Sequence, residues 1–236
     1  MAQKGLPSSR IEALSDGVFA IAMTLLVLEL RVPEVDGADS AALVTALGAM
    51  WPKFVGFALG FVLLGTVWLG HHYQFHYIRR VDRPLLWLNL ALLLVCSAVP
   101  FAVALLGRYW ARPVATSIYG ALLLCSGVCL LAHWSYATSN RRLVDASLDE
   151  AIVHALRARI VLGLTGYGLG FALSFVWPPG SIVTYALMPI VYFPRPYRPA
   201  RGFSQALTAL QNRLQERELF SIRSTHGCCH QRSDHL

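Results

Sequence analysis

The sequence predicts an all-α integral membrane protein with six transmembrane helices per subunit. Three observations carry that expectation. The 236-residue chain is 56% hydrophobic and only 14% charged, well under the roughly 25% charged share of soluble domains. Its mean hydropathy is +0.51. Apolar stretches close to the length of a membrane span recur along it. This composition argues against a soluble enzyme and against disordered, collagenous or disulfide-stapled chains.

The spans follow in order. A spanning helix needs about 20 mostly apolar residues, and six segments approach this: 11–31, 54–77, 85–107, 114–138, 160–177 and 182–193. The sixth is short and carries Pro178, Pro179, Pro189 and Pro194 in or beside it, which favours tilt, kinking or partial insertion. The run 17–28 has the length of a signal-peptide core. Asp16 and Glu29 bracket it and Arg31 follows, so a retained first span is preferred.

Charge sets orientation. The net charge of +7 is not gathered on one face, so it does not read as a nucleic-acid footprint. With the N-terminus inside, sixteen of the 20 lysines and arginines fall on the inner side, leaving Arg31, Lys53, Arg108 and Arg112 outside. The positive-inside rule then places both termini in the cytoplasm. Residues 1–200 form the membrane domain, with a tail over 201–236. In that tail Leu207, Leu210 and Leu214 mark an amphipathic helix over about 203–220, followed by a disordered end. His226, Cys228, Cys229 and His230 lack zinc-ligand spacing, so no metal site is expected there. His133, inside the fourth span, reads as a packed histidine rather than a base.

The first span carries the chemistry. Ionisable groups inside a span cost about 2.5–3.5 kcal/mol at its centre and face protein or water, yet this one, with Arg10 at its edge, contains Glu12, Ser15, Asp16, Thr24 and Glu29. An anchor alone would not need Asp16. By depth counting, Trp68, His71 and His72 of the second span and Asn89 of the third reach the layer of Ser15 and Asp16. Interhelical hydrogen bonding is the simpler reading of that layer. A proton relay from Asp16 to His71 or His72, as in a proton-coupled transporter, is the alternative. Ile21, Leu25 and Leu28 form one stripe, with Thr24 beside them. Plain packing explains such a stripe. Symmetry-related copies meeting on an axis would instead make it a hydrophobic constriction with a ring of hydroxyls. Beyond it, Glu29, Glu34, Asp36 and Asp39 suggest an acidic outer mouth that concentrates cations.

Arg10 followed by the run from Leu14-Ser15-Asp16-Gly17 through Thr24 to Glu29-Leu30 closely resembles the first helix of the transmembrane protein 175 family, the lysosomal potassium channel and its bacterial homologues. The similarity continues through Trp68, His71, His72, Asp82, Asn89, Pro100 and Phe101, then fades over the last three spans. The resemblance implies a potassium-preferring cation channel of the bacterial inner membrane. It implies a homotetramer of single-repeat subunits whose first helices line a central pore. The ring of bulky aliphatics maps to Ile21, with Leu25 and Leu28 above it, and Thr24 matches the hydroxyl layer tied to potassium preference. Arg10, Ser15 and Asp16 match the scaffold of the pore helix. No cofactor is implied beyond the permeant potassium ion, and no enzyme activity. Leu14 stands where the family usually has phenylalanine, which predicts looser packing against the second span. The filter Thr-Val-Gly-Tyr-Gly is absent, so selectivity must come from a dry constriction and a few hydroxyls. A non-conducting scaffold acting through the 203–220 helix remains a third reading.

Overall fold

The computed structural model describes residues 8–35 and 40–192. Asp36, Asp39 and the whole expected tail, with its amphipathic helix and its cysteine–histidine cluster, lie outside the described residues. Eight α-helices make up the described chain. They are α1 (Ser8–Leu25, tightening to a 3-10 turn at Leu26–Glu29), α2 (Ser40–Ala49), α3 (Trp51–Tyr77), α4 (Arg83–Ser97), α5 (Val99–Tyr109), α6 (Pro113–Thr138), α7 (Glu150–Leu173) and α8 (Pro178–Tyr192).

Among the described residues four helical stretches are long and apolar enough to cross a membrane: Ser8–Glu29, Trp51–Tyr77, Arg83–Tyr109 and Pro113–Arg141. The third is a single span broken in two. Pro100 has no N–H to offer the carbonyl one turn before it, so α4 stops at Ser97 and α5 restarts from Ala98. One expected bound shifts markedly. α7 starts at Glu150, well before the expected 160, because Asp149 caps it by accepting from the Ala151 N–H at 2.9 Å. Its first turns carry Glu150, His154, Arg157 and Arg159, leaving only its second half apolar. α2 is an apolar helix of 10 residues between the first and second expected spans, and none of its residues is buried.

α1 packs against α3 and α4 through Ile11, Ser15, Phe19, Ala22 and Leu26, spaced three or four apart on one face. Small residues let the other helices close. Gly60 of α3 meets Val103 of α5 and Leu26, so a Cβ there would sit 2.6 Å from the valine. Tyr185 of α8 is fully buried between Gly120 of α6 and Gly170 of α7, its hydroxyl donating to the Thr116 carbonyl at 3.3 Å. Close approach over small residues is how helices associate where lipid removes the hydrophobic drive. Gly120→Ala would place a methyl group against the Tyr185 hydroxyl. The expected result is displacement of α8 and a stability loss of about 1–3 kcal/mol, read as a lower thermal midpoint of the detergent-solubilised protein.

The end of the bundle carrying the α3–α4 and α6–α7 turns is tied by polar contacts. The Arg79 and Arg80 N–H groups donate to the Leu143 carbonyl at 2.8 and 3.3 Å. Asp82 caps α4 by accepting from the Leu85 N–H, and its other oxygen accepts from the Tyr136 hydroxyl at 2.6 Å. Arg142 donates to that same hydroxyl at 2.9 Å. Asn140 and Arg141 take positive φ in the α6–α7 turn, and the Arg141 guanidinium holds it closed by donating to the Ala146 and Leu148 carbonyls and to Glu150.

Candidate functional site: the first helix and the polar layer behind it

One face of α1 is buried and the other is bare. Only 28% of its span is covered within the subunit, against 44%, 39% and 39% for the other three. Leu14, Ile21, Leu25 and Leu28 are 51%, 59%, 44% and 65% exposed. Gly17 and Thr24 are exposed on the same side. Leu14, Ile21 and Leu28 recur every seven residues, with Gly17 and Thr24 interleaved, a seam that keeps facing one direction along a helix. Leu14 therefore belongs to this outward stripe. The expected effect of a leucine there on packing against the second span does not apply, because the side chain points away from the subunit core.

Thr24 is oriented in a particular way. Its hydroxyl donates back to the Ala20 and Ile21 carbonyls, at 3.0 and 2.9 Å. With the proton turned into the helix, the oxygen lone pairs remain for whatever lies outside, which suits a cation rather than an anion.

Behind the stripe sits the polar layer. The Asn89 amide donates to the Ser15 hydroxyl oxygen at 3.1 Å, and the His71 Nε2–H donates to Asn89 Oδ1 at 2.9 Å. All three side chains are buried. One asparagine thus couples α1, α3 and α4, using both ends of its amide. Asp16 is held separately: the Trp68 indole N–H donates to its Oδ1 at 2.8 Å. His72 joins neither set through a hydrogen bond among the described residues; it stacks on Trp68, with ring centroids 5.5 Å apart. Arg10 is exposed, with no ion pair among the described residues.

The layer is therefore two local clusters rather than one continuous chain from Asp16 to the histidines. His133 is buried near His71, ring centroids 6.1 Å apart. Neither of its nitrogens has a hydrogen-bond partner among the described residues. No group of three metal-ligating side chains occurs among the described residues.

The C-terminal end of α1 meets a mixed set of charges. Glu29 shares a cleft of about 380 Å³ with Arg31, Lys53 and Arg108, so its charge there is outnumbered by cations. In the sequence these residues fall on three separate stretches, Glu29 and Arg31 together at the end of the first span. The packing of α5 against α3, where Gly107 lets the Lys53 backbone approach closely, brings them together. Of the expected acidic mouth, only Glu34 is left among the described residues away from that cleft.

A bundle of long apolar helices, one of which leaves uncovered a face bearing a hydroxyl, with a carboxylate at its edge, defines a polytopic α-helical membrane protein. The family model described as the endosomal/lysosomal potassium channel TMEM175 matches residues 10–100. A Streptomyces collinus protein named as a potassium channel is 39% identical over 189 residues, covering 78% of this chain and 91% of that one. A Chamaesiphon minutus protein, also named as a potassium channel, is 37% identical over 172 residues, covering 72% and 85%. A crystal structure of a lysosomal potassium-selective channel TMEM175 homolog from Chamaesiphon minutus superimposes with a TM-score of 0.70 at 33% identity, covering 78% of this chain and 95% of that one. The chain belongs to the TMEM175 family, which is a family of ion channels and not of enzymes.

Proposed function

We propose that the chain is a potassium-preferring cation channel, working as a homotetramer of six-span subunits in the bacterial inner membrane with both termini cytoplasmic. The observation that carries this reading is the bare face of α1. A lipid-facing stripe would be uniformly apolar, because a carboxylate near hydrocarbon costs several kcal/mol. This face bears Thr24 among Leu14, Ile21, Leu25 and Leu28, and the exposed Asp16 lies at its edge, where Trp68 of α3 holds it. The bare faces of α4 and α5, by contrast, carry Trp87, Leu90, Leu94 and Phe101 and suit lipid.

Four copies of α1 around an axis cover the seam with one another. Ions then pass Leu28, Leu25 and the Thr24 oxygens before Ile21, which closes the path by excluding water. Potassium is favoured over sodium because it gives up its hydration more readily for a short dry passage with few oxygens. The preference is modest, since four hydroxyls replace little of a hydration shell. Opening requires the α1 helices to rotate or part until the stripe wets. α7 crosses with its charged first turns at the cytoplasmic boundary, and α8 returns beside it to complete six spans. Arg10, the Ser15–Asn89–His71 set and the Asp16–Trp68 pair, with His72 stacked behind, fix the position of α1.

Purified protein in a planar bilayer under a potassium/sodium bi-ionic gradient tests the reading. A current reversing towards the potassium equilibrium potential is expected. Uptake driven only by a pH gradient, with no passive potassium current, would favour the transporter reading instead. Asp16→Asn separates the two at residue level. The amide oxygen still accepts from Trp68, so conduction is expected to persist with a stability loss of about 1 kcal/mol as a charge-assisted bond becomes a neutral one. A relay through Asp16 would be abolished while the protein stayed folded.

A further inference from the structure

We propose that the cleft between the end of α1, the start of α3 and the end of α5 binds the phosphate headgroup of an anionic phospholipid. The proposal stands independently of the pore reading. The cleft, about 380 Å³, draws Arg31 from beyond α1, Lys53 from α3 and Arg108 from α5 to one place, with Glu29 as the only acidic group lining it among the described residues. Among the described residues none of these cations has a carboxylate within ion-pair distance. Three positive charges against one leave a clear excess, and the excess lies on the side of the bundle where basic residues are scarce: three of the four outer cations meet here. Chance scatter of topology-setting charges does not gather them.

The cleft also has the polarity gradient of a lipid. Its wall continues from Arg108 along one face of α5 to Leu105, Ala104 and Phe101, spaced so that all four residues share that face. Phe101 lies about 10 Å deeper along the helix than Arg108, and its ring is 65% exposed. A headgroup at the basic rim would lay an acyl chain over that wall. Depth agrees. Tyr109 lines the cleft, and Trp51 and Trp110 pack edge to face at the same end, ring centroids 5.2 Å apart. Tyrosine and tryptophan mark the headgroup level of a bilayer. A soluble anion would explain the cations but would leave the exposed apolar wall without a partner.

The test uses the full-length protein in phosphatidylcholine nanodiscs, with and without phosphatidylglycerol, reading lipid retention by native mass spectrometry and the thermal midpoint. Phosphatidylglycerol is expected to be retained selectively and to raise the midpoint. Lys53→Gln/Arg108→Gln is expected to weaken retention about fivefold for each cation lost, roughly 25-fold in all. Lys53→Arg/Arg108→Lys, which keeps the charge, should retain the lipid and guards against a folding defect in the neutral variant. Arg79→Gln/Arg80→Gln, at the opposite end, should change nothing. Retention by the neutral variant equal to the parent protein would overturn the proposal. So would equal loss in the Arg79/Arg80 variant, which would mean unspecific surface charge. A midpoint shift reproduced by inorganic phosphate or glycerol phosphate alone would assign the cleft to a soluble anion and overturn the lipid source.

Discussion

Ile21→Asn is expected to raise potassium conductance on the order of tenfold and to move the potassium-to-sodium permeability ratio towards one. A dry ring excludes ions because water leaves it, and the ion would have to shed its shell without replacement. Four asparagine side chains would hold water in the ring, and a lowering of the barrier by about 1.4 kcal/mol is enough for a tenfold rise. The cost in stability should be small, because Ile21 is 59% exposed in the subunit and supports no core contact that the substitution would empty. Bi-ionic reversal potentials and single-channel amplitudes measure both effects. Thr24→Val, which keeps shape and removes the oxygen, should leave the conductance barrier in place while reducing preference for potassium.

Asn89→Leu is expected to be the most damaging single change to the protein itself. Among the described residues its amide is the only group joining the Ser15 hydroxyl to the His71 ring. Leucine would leave two buried polar groups unpaired. Each unpaired group costs about 1–3 kcal/mol in soluble proteins, though hydrogen bonds between membrane helices average nearer 0.6 kcal/mol. A total of about 2–4 kcal/mol is therefore expected, seen as a lower thermal midpoint and reduced yield of folded protein. Trp68→Phe, which breaks the Asp16 pair at a more exposed position, should cost less. The order of these two losses is itself informative. A layer built for packing weights Asn89 above Trp68, whereas one built to move protons through Asp16 would show its largest effect on transport at Asp16.

The layer could be read in advance because the crossing direction of each span fixes depth. Ser15, about one turn into the first apolar span, must meet whatever lies near the end of the second and the start of the third, and Asn89 and His71 are there. Depth says nothing about rotation, however. Sequence could not tell that His72 turns outward to stack on Trp68 while its neighbour His71 turns in to Asn89. It could not place Leu14 on the outward stripe, since a seven-residue repeat and a buried face look alike until the buried face is known. The buried face proved to be Ile11, Ser15, Phe19, Ala22 and Leu26. α2 was hidden for a different reason: its ten residues fall short of a span and show no polar face to mark a surface helix. The clustering of Glu29 with Arg31, Lys53 and Arg108 depends on how closely α5 approaches α3 at Gly107, a tertiary fact that no local pattern encodes. Tyr185 between Gly120 and Gly170 is of the same kind.

If the bare stripe of α1 faces an ion pathway, position 21 is reached from water. A variant lacking native cysteines, with a single cysteine at position 21, tests it most directly through the action of a positively charged methanethiosulfonate reagent on potassium current. The control places the cysteine instead at Leu94, which is 73% exposed on α4. The account predicts that Ile21→Cys channels are blocked by the charged reagent when open and that Leu94→Cys channels are not. Modification of Ile21→Cys only by a membrane-soluble maleimide, with the current unaffected by the charged reagent, would put the stripe against lipid and contradict the account.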